Sequence, residues 1–343
     1  MTAPLTRRAL LAGVSAAAIA PRAAHAGAVT DDAGRVVTVP AKVQRVYPAG
    51  LPAAILLYTL APELLLGWPR ANTPQACVYM LPDICAQPVV GRITSRGDAA
   101  SPERVAALRP DLILDVGSTG PRFSALAEQV QRQTGIPYAL FDGGILGLST
   151  SYEKLGRLIG REAAGADFGD YCNMTLGVIT NRIAFVPAEK RPQVYFARGS
   201  RGLTTALGHS SHAELIELLA RNVAGGSKGE LGEVTIDRVR QWNPDVIVTI
   251  NASFAAGVRG DPEWASIKAV REGRVHLMAG IPFGWFDAPP SSNRLIGLWW
   301  LGKVLYPDLF KEDLRELTRD FYEKFYHVKP TEPRLDYVLA GRS

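Results

Sequence analysis

Arginines set among glycine and serine are the residues of this chain best suited to hold a solute. Arg92 stands in Gly91-Arg92-Ile93-Thr94-Ser95, and Arg198 in Arg198-Gly199-Ser200-Arg201. A guanidinium forks onto carboxylate or catecholate oxygens, so either arginine suits an anionic metal complex; the bland alternative is a solvated surface charge. Phe283, Trp285 and Phe286 crowd the stretch Ile281-Pro-Phe-Gly-Trp-Phe286. They offer wide, rigid faces to a bulky ligand, or else they are lobe core. Trp299 and Trp300 lie on a helical run and read as core. His209 and His212 have an HxxH spacing that suits a metal complex with open positions. Two histidines fall short of a complete site, and Ser211 with Glu214 reads as a capping box that opens a helix there. No GxSxG elbow, HExxH pair or Walker loop occurs. A secreted hydrolase, the alternative from another class, is therefore disfavoured and no enzyme is expected.

Loops of this kind need strands to carry them, and the chain supplies strand–loop–helix units throughout. Val46-Tyr47 runs into Pro48-Ala49-Gly50, and Asp111 to Leu114 into Gly117-Ser118. The pattern restarts after Pro192 with Val194 to Phe196, then Val246 to Ile250 ahead of Asn251. Repeated units imply parallel sheets covered by helices. A gapless repeat strengthens this: Ser101-Pro-Glu-Arg-Val-Ala-Ala-Leu-Arg-Pro-Asp-Leu-Ile-Leu114 aligns with Thr235-Ile-Asp-Arg-Val-Arg-Gln-Trp-Asn-Pro-Asp-Val-Ile-Val248. In each copy a hydroxyl caps a helix with an acid in its first turn, a proline stops it, and a buried strand follows. The expected fold is α/β: two Rossmann-like lobes with central parallel sheets, joined by one long helix, with the ligand cleft between lobes. The lobes span 27–165 and 188–343, and the connecting helix 166–187. Strand C-terminal loops then face the cleft, which nominates Gly50, Arg92 and Ser118 from the first lobe and Arg198, Asn251, Phe283, Trp285 and Phe286 from the second. His209 is a lesser metal candidate. Tyr79 reads as a surface residue.

Residues 1–26 read as an export signal: Arg7-Arg8, an alanine-rich apolar run, then Ala24-His25-Ala26 as a cleavage site. Paired arginines before a mild apolar core favour twin-arginine export over the general route. Removing this segment takes away three arginines and no acid, so the formal charge of +5 falls to +2. That near-neutral balance gives no electrostatic case for nucleic-acid binding. Cys77 and Cys85 either close a small disulfide loop or stay as thiols, and Cys172 reads as a buried small apolar residue.

The two Pro-Asp-Leu/Val-Ile units, Arg45-Val46, Gly91-Arg92, Val223-Ala-Gly-Gly226 and the run from Asp287-Ala-Pro-Pro-Ser-Ser-Asn-Arg294 to Pro307 together resemble the metal-complex binding proteins of ABC importers. The resemblance covers nearly the whole exported chain. It implies a periplasmic, monomeric protein without a cofactor that captures an iron–siderophore, haem or cobalamin-like complex and delivers it to a permease dimer in the inner membrane. Molybdate, tungstate, or a nickel or cobalt complex is the alternative solute. It also implies an acid on each lobe that docks on the permease: Glu103 and Asp237, with Glu233 as a substitute for the latter, unless both acids merely favour their helix N-termini.

Overall fold

The computed structural model describes residues 26–93 and 100–341. The expected export signal, Ala26 apart, and the Thr94-Ser95 pair lie outside the described residues.

The first lobe opens with an antiparallel pair, β1 (Ala26–Thr30) and β2 (Val36–Val39), and is built on a parallel sheet ordered β3-β4-β5. Those strands are β3 (Val46–Pro48), β4 (Leu112–Gly117) and β5 (Tyr138–Asp142). Between β3 and β4 lie α1 (Leu51–Leu60), the short α2 (Pro74–Cys77) and α3 (Pro82–Cys85), and α4 (Pro102–Ala107); α5 (Pro121–Thr134) links β4 to β5. Two helices follow, α6 (Leu148–Ile159) and the connecting α7 (Glu162–Ala184).

The second lobe centres on a parallel sheet ordered β11-β10-β6-β8. It contains β6 (Gln193–Ala197), β7 (Thr204–Ala206), α8 (Glu214–Leu219), β8 (Arg221–Asn222), β9 (Leu231–Glu233), α9 (Ile236–Trp242), β10 (Val246–Thr249), α10 (Ala252–Gly257), α11 (Lys268–Arg271) and β11 (Val275–Leu277). The chain ends with α12 (Arg294–Leu305), α13 (Leu314–Tyr326) and α14 (Glu332–Leu339).

The sequence repeat has a structural cause. Ser101 and Thr235 cap α4 and α9 through the N–H groups of Arg104 and Arg238, at 3.4 and 3.2 Å. The repeated aspartates then tie each strand to its neighbour. Asp111 Oδ2 accepts from the backbone N–H groups of Gln44 and Arg45, and Asp245 Oδ2 from that of Gln193. Each Pro-Asp unit thus sets the register of β4 on β3, or of β10 on β6.

Leucines 112 and 114 face the main core, which also receives α1, α6 and α12, while Ile113 faces a smaller cluster under α4 and α5. A third cluster, around Tyr195, Ile247 and Trp264, covers the outer face of the second sheet. The connecting helix is pressed against α6: a Cβ on Gly165 would lie 2.7 Å from the Tyr152 carbonyl oxygen and 3.1 Å from Gly156 Cα, so glycine is required there.

The C-terminal segment does not stay on the second lobe, as the 188–343 division expects. Helix α13 crosses back to α1, where the Tyr58 hydroxyl donates to the Tyr326 carbonyl at 2.9 Å. Cys77 and Cys85 form a disulfide with Cα atoms 5.5 Å apart, and Cys172 is a buried free thiol. Tyr79 is not at the surface: it is buried against Tyr322, and its hydroxyl donates to the Arg334 carbonyl at 3.1 Å. Among the described residues, no helix is long and apolar enough to cross a membrane.

Candidate functional site

Loops at the C-terminal ends of the strands meet between the lobes and leave two adjoining chambers. The first, about 630 Å³, is lined by Gly50, Leu51, Pro69, Arg70, Arg92 and Asp115 from one lobe and by Ala288 and Pro289 from the other. The second, about 450 Å³, is lined by Ser118, Asp142 and Gly143 facing His209, His212, Glu214 and Glu230. Pro52 and Val116 belong to both walls, so the chambers form one cleft.

Positive charge collects on one side of the first chamber. Helix α1 begins at its wall, and the Gly50 N-cap supplies no side-chain partner for the first-turn N–H groups. That end of the helix carries partial positive charge, and Arg70 and Arg92, both exposed, add two full charges beside it. Asp115 lies at the exit of β4 on the same wall, only 6% exposed, and accepts from the Tyr138 hydroxyl at 2.8 Å. Burial pushes the pKa of its carboxyl up.

The second chamber is bounded by two ion-paired groups. Glu214 accepts from Arg294, which is 1% exposed, and also from the Ile145 N–H at 3.1 Å. Arg294 in turn donates to the Gly143 carbonyl. These contacts pin Gly143-Gly144-Ile145 of the first lobe to α8 and α12. The other group centres on the fully buried Asp287, whose Oδ2 pairs with Arg198 and with His212 Nδ1 at 2.8 Å. Burial, with the charges of Arg198 and Arg294, lowers the His212 pKa to about 4. His212 is therefore neutral at pH 7, its Nδ1–H donated to Asp287.

Among the sequence candidates, Gly50, Arg92, Ser118 and His209 line the cleft. Arg198 does not line either chamber; its guanidinium is engaged by Asp287 and lies over the Phe196 ring, 5.5 Å from the centroid. Asn251 caps α10, accepting from the Phe254 N–H at 2.9 Å. The aromatic loop forms core instead of a cleft wall. Phe283 packs on Trp68 and Phe286 on Phe196, with centroids 5.8 and 4.7 Å apart, and Trp285 is fully buried. The capping box at Ser211 is absent because α8 starts at Glu214, whose carboxylate is held by Arg294. Of the helix acids, Glu103 is exposed and takes a hydrogen bond from Ser101 that lowers its pKa, while Asp237 pairs with Arg240 at 2.8 Å. Among the described residues, no three His, Cys, Asp or Glu side chains are grouped to hold a metal ion.

Sequence reasoning missed Arg70, Asp115, Asp142 and Glu230. Asp115 was within reach, since it directly follows the apolar strand Leu112-Ile-Leu114 and so stands at the sheet edge.

A profile of the periplasmic binding protein family matches residues 87–280. The chain is 28% identical over 185 residues to the molybdate-binding protein MolA of Haemophilus influenzae, covering 53% of this chain and 52% of MolA. It is 27% identical over 237 residues to the uncharacterised ABC transporter substrate-binding lipoprotein YvrC of Bacillus subtilis, covering 61% of this chain and 66% of YvrC. The matches thus span about half of one relative and just under two thirds of the other. An ABC transporter solute-binding protein from Sulfurospirillum deleyianum has the same fold, with a TM-score of 0.84 at 23% identity over 91% of this chain and 99% of its own. The chain belongs to the periplasmic binding protein family, a family of solute-binding proteins and not of enzymes.

Proposed function

We propose that this protein is the solute-binding component of an ABC importer, exported to the periplasm, that captures an anionic metal complex of the iron–siderophore class and hands it to a permease dimer in the inner membrane. The observation that carries this reading is the double chamber. It attracts anions at one end and extends well beyond the room a bare oxyanion needs. Family membership and the two-lobed fold support the transport role. Glu103 and Asp237, in the exposed first turns of the equivalent helices α4 and α9, are the proposed docking acids on a monomer that needs no cofactor of its own.

Molybdate or tungstate is the second reading. It is favoured by the meeting of Arg70, Arg92 and the α1 N-terminus in one chamber, and by the likeness to MolA. The core placement of Phe283, Trp285 and Phe286 removes one reason to prefer a bulky ligand.

Intrinsic tryptophan fluorescence, with calorimetry, tests the proposal on the exported protein. Ferric hydroxamates, ferric catecholates, haem, cobalamin, nickel–histidine, molybdate and tungstate would each be titrated. Saturation by a ferric complex at micromolar concentration or below is the expected result. Response to molybdate or tungstate alone selects the second reading, and silence throughout overturns the transport role.

A further inference from the structure

Arg70 and Arg92 reach the first chamber from one junction in the main chain. Trp68, two residues before Arg70, lies beside Val90, two residues before Arg92. The Trp68 N–H donates to the Pro88 carbonyl and the Val90 N–H to the Trp68 carbonyl, each at 2.9 Å. The two legs pass so closely that a Cβ on Gly67 would lie 2.4 Å from the Pro88 carbonyl oxygen. Between them the chain runs out into a loop whose helices are the single turns α2 and α3.

A loop so poor in regular structure opens locally more readily than the sheet beside it. Three contacts hold it closed. The Trp68 indole, 1% exposed, donates to the Ile84 carbonyl at 2.8 Å. The Leu81 N–H donates to the Tyr58 hydroxyl at 2.9 Å, and the Tyr79 hydroxyl to the Arg334 carbonyl at 3.1 Å. Tyr79, Leu81 and Ile84 all fall inside the ring closed by Cys77 and Cys85. The disulfide thus constrains the segment that supplies all three anchors. Closing a short ring removes conformations chiefly from the opened loop, so it lowers the population of that state. Without the ring, Ile84 is a looser acceptor for the buried indole, and the junction beside Trp68 loosens with it.

We propose that the Cys77–Cys85 disulfide positions the charged wall of the cleft: by holding the ring that anchors Trp68, it fixes the junction from which Arg70 and Arg92 leave, and so sets the affinity for an anionic solute. Neither cysteine lines the cleft, so both act through Trp68. The inference rests on solute capture in this cleft, as proposed above.

Hydrogen–deuterium exchange and calorimetry on the exported wild-type protein and on Cys77→Ala/Cys85→Ala test it. Ferric hydroxamate complexes, ferric catecholate complexes and sodium molybdate are the probes. Exchange in the variant is expected to quicken across residues 67–93 and to stay at the wild-type rate in β4, β5 and the second lobe. Affinity for the probe that the wild type binds should fall at least about tenfold, the loss of one charge-assisted hydrogen bond. The remaining binding should also respond less to added salt, because the lost contacts are ionic. Exchange that is unchanged in residues 67–93, or that quickens equally everywhere, overturns the proposal. So does a folded variant with unchanged affinity, while leaving solute capture intact, and so does a loss of affinity with the salt response fully retained. A double variant that does not fold passes the decision to Trp68→Phe, which keeps the disulfide and loses the indole N–H. Unchanged exchange or affinity in Trp68→Phe then overturns the proposal. If no probe binds the wild type, both this inference and the transport reading fall.

Discussion

Arg294 of α12 reaches across the lobe boundary to the carbonyl of Gly143 while paired with Glu214 of α8. The pair does not merely decorate the cleft, because it carries the main chain of the opposite lobe. Removing one partner of a buried pair leaves an uncompensated charge, at a cost of about 3–5 kcal/mol. Glu214→Ala should therefore lower unfolding stability by about that amount, and Glu214→Gln by less, since the amide oxygen still accepts a hydrogen bond. Urea denaturation of both variants measures the difference.

His212 predicts an acid-sensitive fold. Its folded pKa, about 4, lies below the ordinary value of 6.5, so the unfolded chain takes up the proton first. The stabilisation is complete above pH 6.5 and disappears as pH falls through 4, a change of about 3 kcal/mol at most. His212→Asn, which retains a side-chain donor for Asp287, should flatten stability across this window. Urea midpoints at pH 7 and pH 4.5 give the comparison.

The two arginines singled out by their loops should behave differently. Arg92 lines the first chamber, so Arg92→Ala should weaken an anionic solute by about 1–3 kcal/mol. Arg198 neutralises the buried Asp287. Arg198→Ala should therefore cost about 3 kcal/mol of stability and raise the His212 pKa, by removing a positive neighbour. Calorimetric titration and thermal melts on both variants separate the roles.

Gly297 gives a steric test. A Cβ at this position in α12 would lie 2.0 Å from the Trp285 carbonyl oxygen, which is backbone and cannot rotate aside. Gly297→Ala should cost about 1–3 kcal/mol or more by overpacking, and thermal melting checks it.

The paired lobes were legible in the sequence because Asp111 and Asp245 do the same work in each, joining the start of one strand to the next. Gly50 and Ser118 were found for a related reason: they stand within two residues of strand ends, and strand ends define the cleft. Phe283, Trp285 and Phe286 misled because residue types around glycine and proline indicate a loop but not which way it folds. Here Asn293 draws the loop inward by donating to the Phe283 carbonyl at 2.9 Å. Glu214 misled through local spacing. The three-residue offset from Ser211 suits a cap, but a buried guanidinium 80 residues away in the chain has the stronger demand for its carboxylate. Arg198 was hidden in the same way by Asp287.

The glycine contact between α6 and α7 bears on how fast the protein works. Gly165 is seated on Gly156, and one turn on, Tyr152 stacks on Phe168 with centroids 4.9 Å apart, so the connector is packed closely along α6. A solute then enters a cleft whose walls are already in place, and little ordering is required on arrival. Encounter should then proceed at nearly the same rate for each accepted solute. Discrimination among solutes would show in how long each stays: the wrong ones leave quickly, and the right one remains bound.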